Sequence, residues 1–312
     1  MKNSISNREA FSALLIKAAK TDRDIVVLTS DSRGSAGLTA FGEVYPNRHI
    51  EVGIAEQNII GIAAGLAASG MKPIVASPAC FMSMRGAEQI KVDIAYSNNP
   101  VLLLGISGGV SYGALGMTHH SLQDIALMRA IPNMSAFLPA DRFETAAILS
   151  DWLNNPRPAY MRIGRNAVED VYEDEDIGYI PNKSSIVYSG NDAAIITAGE
   201  TVRIALDAAI QLKNDGIGVS VISMHTIKPL DTEVIIETAK RVKFILTVEE
   251  HSIFGGLGGA VCETVSQNAV IKVKILGIPD EPAVSGTASQ IFSHYGLTSE
   301  NIANIIRAEA VR

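Results

Sequence analysis

Glu56 stands where an apolar segment begins. In "GIAEQNIIGIAAGLAA" a carboxylate precedes a run of Ile, Ala and Gly. An acid in the first helical turn ordinarily only complements the helix dipole, worth ~0.3–1 kcal/mol. The residues after it point further: a helix apolar on nearly every face is expected to be buried, which would desolvate the carboxyl group, raise its pKa and let it share a proton at neutral pH. That is the property of a general acid, so Glu56 is the first catalytic candidate.

A second constellation is "SYGALGMTHHSLQDIALMRAIPNM", from Ser111 to Met134. A glycine-rich loop ends there in His119 and His120, ahead of a helix that Ser121 is expected to cap, and either imidazole could project into a cleft. Adjacent positions do not share a helix face, so the pair is not read as a metal site and no metal ligand is assigned. In "RPAYMRIGRN", Arg162 and Arg165 follow a strand and could hold a phosphate, or simply form surface ion pairs. "HSIFGGLGGAV" has neither the G-x-G-x-x-G spacing nor a P-loop lysine, which favours tight backbone packing at a turn.

The elements that must position these residues are short apolar runs alternating with helical patterns. "DIVVLTSD", "KPIVAS", "PVLLLGIS", "SAFLPA" and "AYMRI" read as buried strands of a parallel sheet with crossover helices. Between about residues 165 and 190 the pattern breaks into an acidic and polar stretch, where a boundary belongs. "DAAIITAGE", "GVSVISM", "KFILTVEE" and "IKVKILGI" then repeat the strand theme, and "TSENIANIIRAEAV" closes the chain as a helix. The expected fold class is α/β, with two parallel-type domains over residues 1–187 and 188–312.

Composition narrows the function. A net charge of -7 over 312 residues, with Lys and Arg scattered, offers no basic stripe for nucleic acid. The longest apolar run, Ile59 to Ala68, has ten residues, against the ~20 needed to span a bilayer. The N-terminus lacks the apolar core of a secretory signal, and two distant cysteines suit a reducing compartment, so the expected location is cytoplasmic, with no membrane association.

Taken in order, "LTSDS", "EVGIAEQNIIGIAAGLA", "GMTHHSLQDIALMRAIPNM", "IGRN" and "EEHSIFGGLGGAV" resemble the C-terminal half of the transketolase family and of its relative 1-deoxyxylulose-5-phosphate synthase. The resemblance implies a pyrimidine-binding domain for thiamine diphosphate followed by a transketolase C-terminal domain. It implies that Glu56 hydrogen-bonds a ring nitrogen of the cofactor's aminopyrimidine and sets its tautomer. Phe81 would supply the aromatic wall, with Met82 or Met84 as alternatives in an uncertain register, and Arg85 and Asp31 would also lie on the cofactor side. His119 would contact substrate hydroxyls, and Arg8 and Arg165 would hold a sugar phosphate. Leu115 and His120 stand where the family usually has Asp and Gln, so an altered sugar preference is expected.

The Gly-Asp-Gly run that holds Mg2+ and the cofactor's diphosphate is not found in this sequence. The resemblance therefore implies the smaller subunit of a split transketolase, active with a separate N-terminal, diphosphate-binding subunit in an α2β2 assembly and moving a two-carbon ketol unit between sugars. The alternatives are the β subunit of a thiamine-dependent 2-oxoacid dehydrogenase and a non-catalytic scaffold subunit.

Overall fold

The structure is a computed structural model that describes residues 4–310. A seven-stranded sheet runs in the spatial order Thr226–Lys228, Ser135–Phe137, Ala159–Ile163, Leu102–Ile106, Lys72–Pro78, Ile25–Thr29, His49–Glu51. All of its neighbours are parallel except the first pair. Ile25–Thr29, Leu102–Ile106 and Ala159–Ile163 are buried at every position, because helices cover both faces of the sheet and leave no side on which a polar residue could alternate.

A second, five-stranded sheet runs Lys272–Ile278, Phe244–Ser252, Ala193–Thr197, Val219–Ser223, Ser185–Tyr188. It is parallel but for its last strand, which opens the second unit. The two sheets are not independent. Thr226–Lys228 leaves the second unit to pair with Ser135–Phe137 of the first, and one apolar cluster runs from Ile60 and Val75 through Leu138 to Ile196, Met224 and Leu257. A separate ribbon pairs Ser4–Ser6 with Ala167–Glu169, with Ser6 opposite Ala167. The expected closing helix spans Ser299–Ala310.

The helix Glu56–Ala68 corrects one expectation. It buries Glu56, Ile59, Ile60, Ala63, Ala64 and Ala67 against the sheet, while Gln57, Asn58, Gly61, Gly65 and Ala68 are exposed. A 3.6-residue period assigns these sets to opposite sides. Low polarity alone therefore does not bury this helix within its own chain.

Candidate active site

In an open parallel sheet, the loops leaving the carboxyl ends of the strands converge on one edge. Glu56 follows the edge strand His49–Glu51, and the helix Ala79–Arg85 follows Lys72–Pro78. The glycine-rich loop follows Leu102–Ile106, and Arg165 follows Ala159–Ile163. Residues far apart in sequence thus reach the same place.

They form one row of contacts. Glu56, 4% exposed, opens its helix after a cap residue, Ala55, whose side chain makes no capping bond. Its Oε2 accepts from Arg85 Nη1 at 2.9 Å. The Arg85 guanidinium lies 4.1 Å from the centre of the Phe81 ring, since positions 81 and 85 share a helix face. Phe81 meets His119 edge-on at 5.1 Å, His119 meets Tyr112 at 5.5 Å, and Arg165 sits 5.3 Å from the Tyr112 ring centre. A buried acid, an aromatic face, an imidazole and a guanidinium are so aligned along one edge.

The remaining sequence candidates divide. Met82 is fully buried in the core, and the exposed Met84 is surface. His120 is buried, with Nε2 donating to the Gly113 carbonyl at 3.0 Å; burial lowers its pKa, and it packs inside the loop rather than reaching a cleft. Leu115 is 54% exposed on a short 3-10 turn, Gly113–Leu115. Arg8 Nη1 donates to the Ser35 carbonyl at 2.9 Å. Both Arg8 and Arg165 lie two residues beyond the Ser6–Ala167 pair, at the same end of the ribbon. Asp31 adopts φ 53°, donates its N–H to Glu51 Oε1 at 2.7 Å and lines a cleft of about 390 Å³ with Arg33, His49 and Glu51, outside the row of contacts.

Two expectations are overturned. Ser121 does not cap a helix: it exchanges backbone hydrogen bonds with Gly109 at 2.7 and 3.1 Å, and the helix begins at Asp124 behind Gln123. Extended pairing at the loop neck commits its backbone, so the cap position falls later. Arg162 is no phosphate ligand. It is 7% exposed, pairs with Asp124 at 3.3 Å and donates to the Glu250 carbonyl at 3.0 Å. Burial works against its charge, but Asp124 and then Glu250 outweigh that and raise its pKa. Residue 162 lies within a strand that is buried on both faces, while Arg165, past the strand end, is free to face outward.

Tyr112 was not singled out from the sequence, although an aromatic residue inside a glycine-rich loop is a readable signal. The acids at the domain junction were missed as well, because each lies within an apolar strand or at a helix entry. Glu249 accepts from Leu257 N and Gly258 N at 2.7 and 2.8 Å, and burial pushes its pKa up to about 7. Gly256 is required there, since a Cβ would collide with the Glu249 carboxylate. That agrees with tight packing at the turn.

Glu200 carries a titration signature. Burial first, and repulsion from Glu250 second, push its pKa up to about 8. Its Oε1 has no hydrogen-bond partner among the described residues. The folded state therefore keeps a proton that the unfolded state, near the ordinary 4.5, has released. Folding stability from this group falls as pH rises from about 4.5 to about 8. Glu200→Gln should raise the melting temperature more at pH 8.5 than at pH 5, by several degrees. Calorimetry showing equal shifts at both pH values would remove the titration argument.

The fold and the site edge define a class, that of paired α/β domains with a candidate site at the carboxyl edge of the first sheet, and the comparisons fix the family. Residues 3–170 match the family model for the transketolase pyrimidine binding domain, and residues 182–302 match that for the transketolase C-terminal domain. The chain belongs to the transketolase family, which depends on thiamine diphosphate. It is 49% identical over 300 residues to one subunit of the apulose-4-phosphate transketolase of Phocaeicola vulgatus, covering 96% of each chain. It is 33% identical to the 6-deoxy-6-sulfo-D-fructose transketolase subunit SqwH of a Clostridium species, covering 95% of this chain and 91% of that one. A solved split-gene transketolase, an inactive beta4 tetramer, superposes with a TM-score of 0.90 at 34% identity, over 98% of this chain and 99% of that one.

Proposed function

We propose that this chain is the pyrimidine-side subunit of a two-chain transketolase that moves a two-carbon ketol unit from a ketose phosphate to an aldose. The observation that carries the reading is the row Glu56, Arg85, Phe81, His119, Tyr112, Arg165. The cofactor fits this chain by a stand-in: the Arg85 guanidinium, planar and hydrogen-bond donating, lies on the Phe81 face and donates to Glu56. An aminopyrimidine ring would use the same two contacts. The Arg85 side chain is 46% exposed and has room to withdraw.

Bound thiamine diphosphate supplies the nucleophilic carbon that accepts the ketol unit. The protein's own part is to position and to move protons. Glu56 would hydrogen-bond the ring nitrogen from a buried position that water does not reach. His119 donates or accepts at a sugar hydroxyl, and its ring is fixed edge-on between Phe81 and Tyr112. Arg165, with Arg8 at the same ribbon end, holds the phosphate as a charge-assisted, two-pronged contact. Asp31 belongs to the rim of the cofactor side. The diphosphate and Mg2+ fall to the partner subunit.

The exposed Gly61–Gly65 face of the Glu56 helix, with Ile54 73% exposed beside it, supports contact with other chains in an α2β2 assembly. A guanidinium and an imidazole placed for a sugar phosphate disfavour a 2-oxoacid dehydrogenase β subunit, and the intact row disfavours a scaffold. Among the described residues no helix is long and apolar enough to cross a membrane, and we place the enzyme in the cytoplasm.

Leu115 in place of an aspartate favours a ketose phosphate that lacks the hydroxyl which the aspartate would bind. At 49% identity to a chain named for it, apulose 4-phosphate is the first donor to test. The chain, co-purified with its partner and supplied with thiamine diphosphate and Mg2+, should turn over that donor and show little or no transfer when assayed alone. Restoration of full turnover by a 2-oxoacid in place of any ketose would reject the reading.

A further inference from the structure

The segment Glu249–Ser252, where the second sheet meets the first domain, has no part in the chemistry above, yet it touches the His119 loop repeatedly. Glu250 Oε1 accepts from Val110 N at 2.6 Å, where the loop begins. Ser252 N donates to the Leu122 carbonyl at 3.1 Å, where it ends. His251 Nε2 accepts from Ala126 N at 3.4 Å in the helix beyond the loop, while Nδ1 donates to the Ser252 carbonyl at 2.7 Å. That bonding requires a neutral ring, in keeping with burial, which pushes its pKa down to about 4.

The loop's glycines meet the same domain. Gly109, at φ 58°, leaves no space for a Cβ because the Glu250 carboxylate fills it. Gly113, at φ 46°, lies against the Gly286 carbonyl, and a Cβ on Gly116, at φ 72°, would come within 2.6 Å of Ser285 Oγ. Apart from the 3-10 turn at Gly113–Leu115 and the Gly109–Ser121 bridge, no regular element holds the segment. Backbone turns such as Ser111 N to Gly108 O and His119 N to Gly116 O shape the loop from within, but they do not fix where it sits on the molecule; that is set by what it packs against.

We infer that the second domain serves as the clamp of the substrate loop, and that Glu250 is a positioning residue that sets His119 for sugar capture. This rests on the reading of His119 as a sugar contact. Glu250 touches neither substrate nor cofactor in this arrangement; it acts by fixing Val110 at the loop's first turn, with Arg162 holding the Glu250 backbone from behind at 3.0 Å.

The test compares Glu250→Ala with Glu250→Gln, whose amide carbonyl still accepts from Val110 N, and with Gly116→Ala, which crowds Ser285 and strains a backbone at φ 72° without removing a buried charge. Hydrogen exchange on the full-length chain should show residues 107–122 opening about ten- to a hundredfold faster in Glu250→Ala, the loss expected for one charge-assisted bond. Gly116→Ala should loosen the same segment, and Glu250→Gln should restore most of the protection. In the assembled enzyme, Glu250→Ala should raise the KM for the ketose by a similar factor. kcat should change far less, and thiamine diphosphate affinity, measured by equilibrium dialysis, should be unchanged.

Exchange in residues 107–122 that is unmoved in both Glu250→Ala and Gly116→Ala would overturn the clamp. A loosened loop with an unmoved KM would overturn the link to sugar capture. If His119→Ala then also leaves KM unmoved, the fault lies in the role given to His119 rather than in the clamp.

Discussion

Replacing Glu56 by glutamine should lower ketol transfer in the assembled two-chain enzyme by about 10²–10⁴-fold, the range over which a positioned acid or base contributes. Glutamine keeps the shape of the side chain and one carbonyl oxygen, so cofactor and sugar can still dock. What it lacks is the carboxyl group's ability to take and return a proton at the ring nitrogen. The site gives that exchange a protected setting: the side chain is 3% exposed, and among the described residues its hydrogen-bonding partner is Arg85. Because Arg85 can return to water, the folded state should lose no more than ~1 kcal/mol. The diagnostic result is a collapse of turnover with a melting temperature lowered by no more than ~2–4 °C and unchanged assembly. Turnover within tenfold of wild type would refute the role given to Glu56.

Asp124→Ala should have the largest effect on stability. Asp124 is fully buried beneath the domain junction, where its Oδ1 pairs with Arg162 at 3.3 Å and its Oδ2 accepts from Tyr160 Oη at 2.5 Å. Removing the carboxylate strands a guanidinium that is 6% exposed, together with a buried phenol. Breaking one side of such a pair costs about 3–5 kcal/mol, mostly as the desolvation of the charge left behind. With ~2–4 °C lost per kcal/mol in a chain of this size, the melting temperature should fall by roughly 6–20 °C. Pairing the change with Arg162→Met should recover part of that loss, because the guanidinium is no longer stranded, although Glu250 then loses its buried counter-charge. A drop in Asp124→Ala below about 1 kcal/mol by urea unfolding would mean that the pair is solvated in solution.

Much of the architecture was legible in the chain. Each apolar run read as a strand is one, and for the central strands the reason is that burial on both faces demands an unbroken apolar stretch whatever lies next to it in space. The pairing of Thr226–Lys228 with the first sheet was not legible: three residues carry no periodic signal, and the partner strand is about ninety residues away. The same limit explains the arginines. Arg162 and Arg165 stand three positions apart in one motif, yet one is the buried centre of an ion-pair network and the other faces the site edge, a difference set by where the strand ends.

The sequence by itself determined the family, the succession of strands and helices, and the chemistry open to Glu56, His119 and Arg165, because periodicity and motif spacing are properties of the linear chain. Only the tertiary structure decided that Arg85 lies over Phe81 against Glu56, that Tyr112 joins His119 to Arg165, and that an acid more than a hundred residues downstream holds the His119 loop. Those neighbours are set by the order of strands in a sheet and by which loops leave the same edge. Chain position does not encode that order until the core has packed.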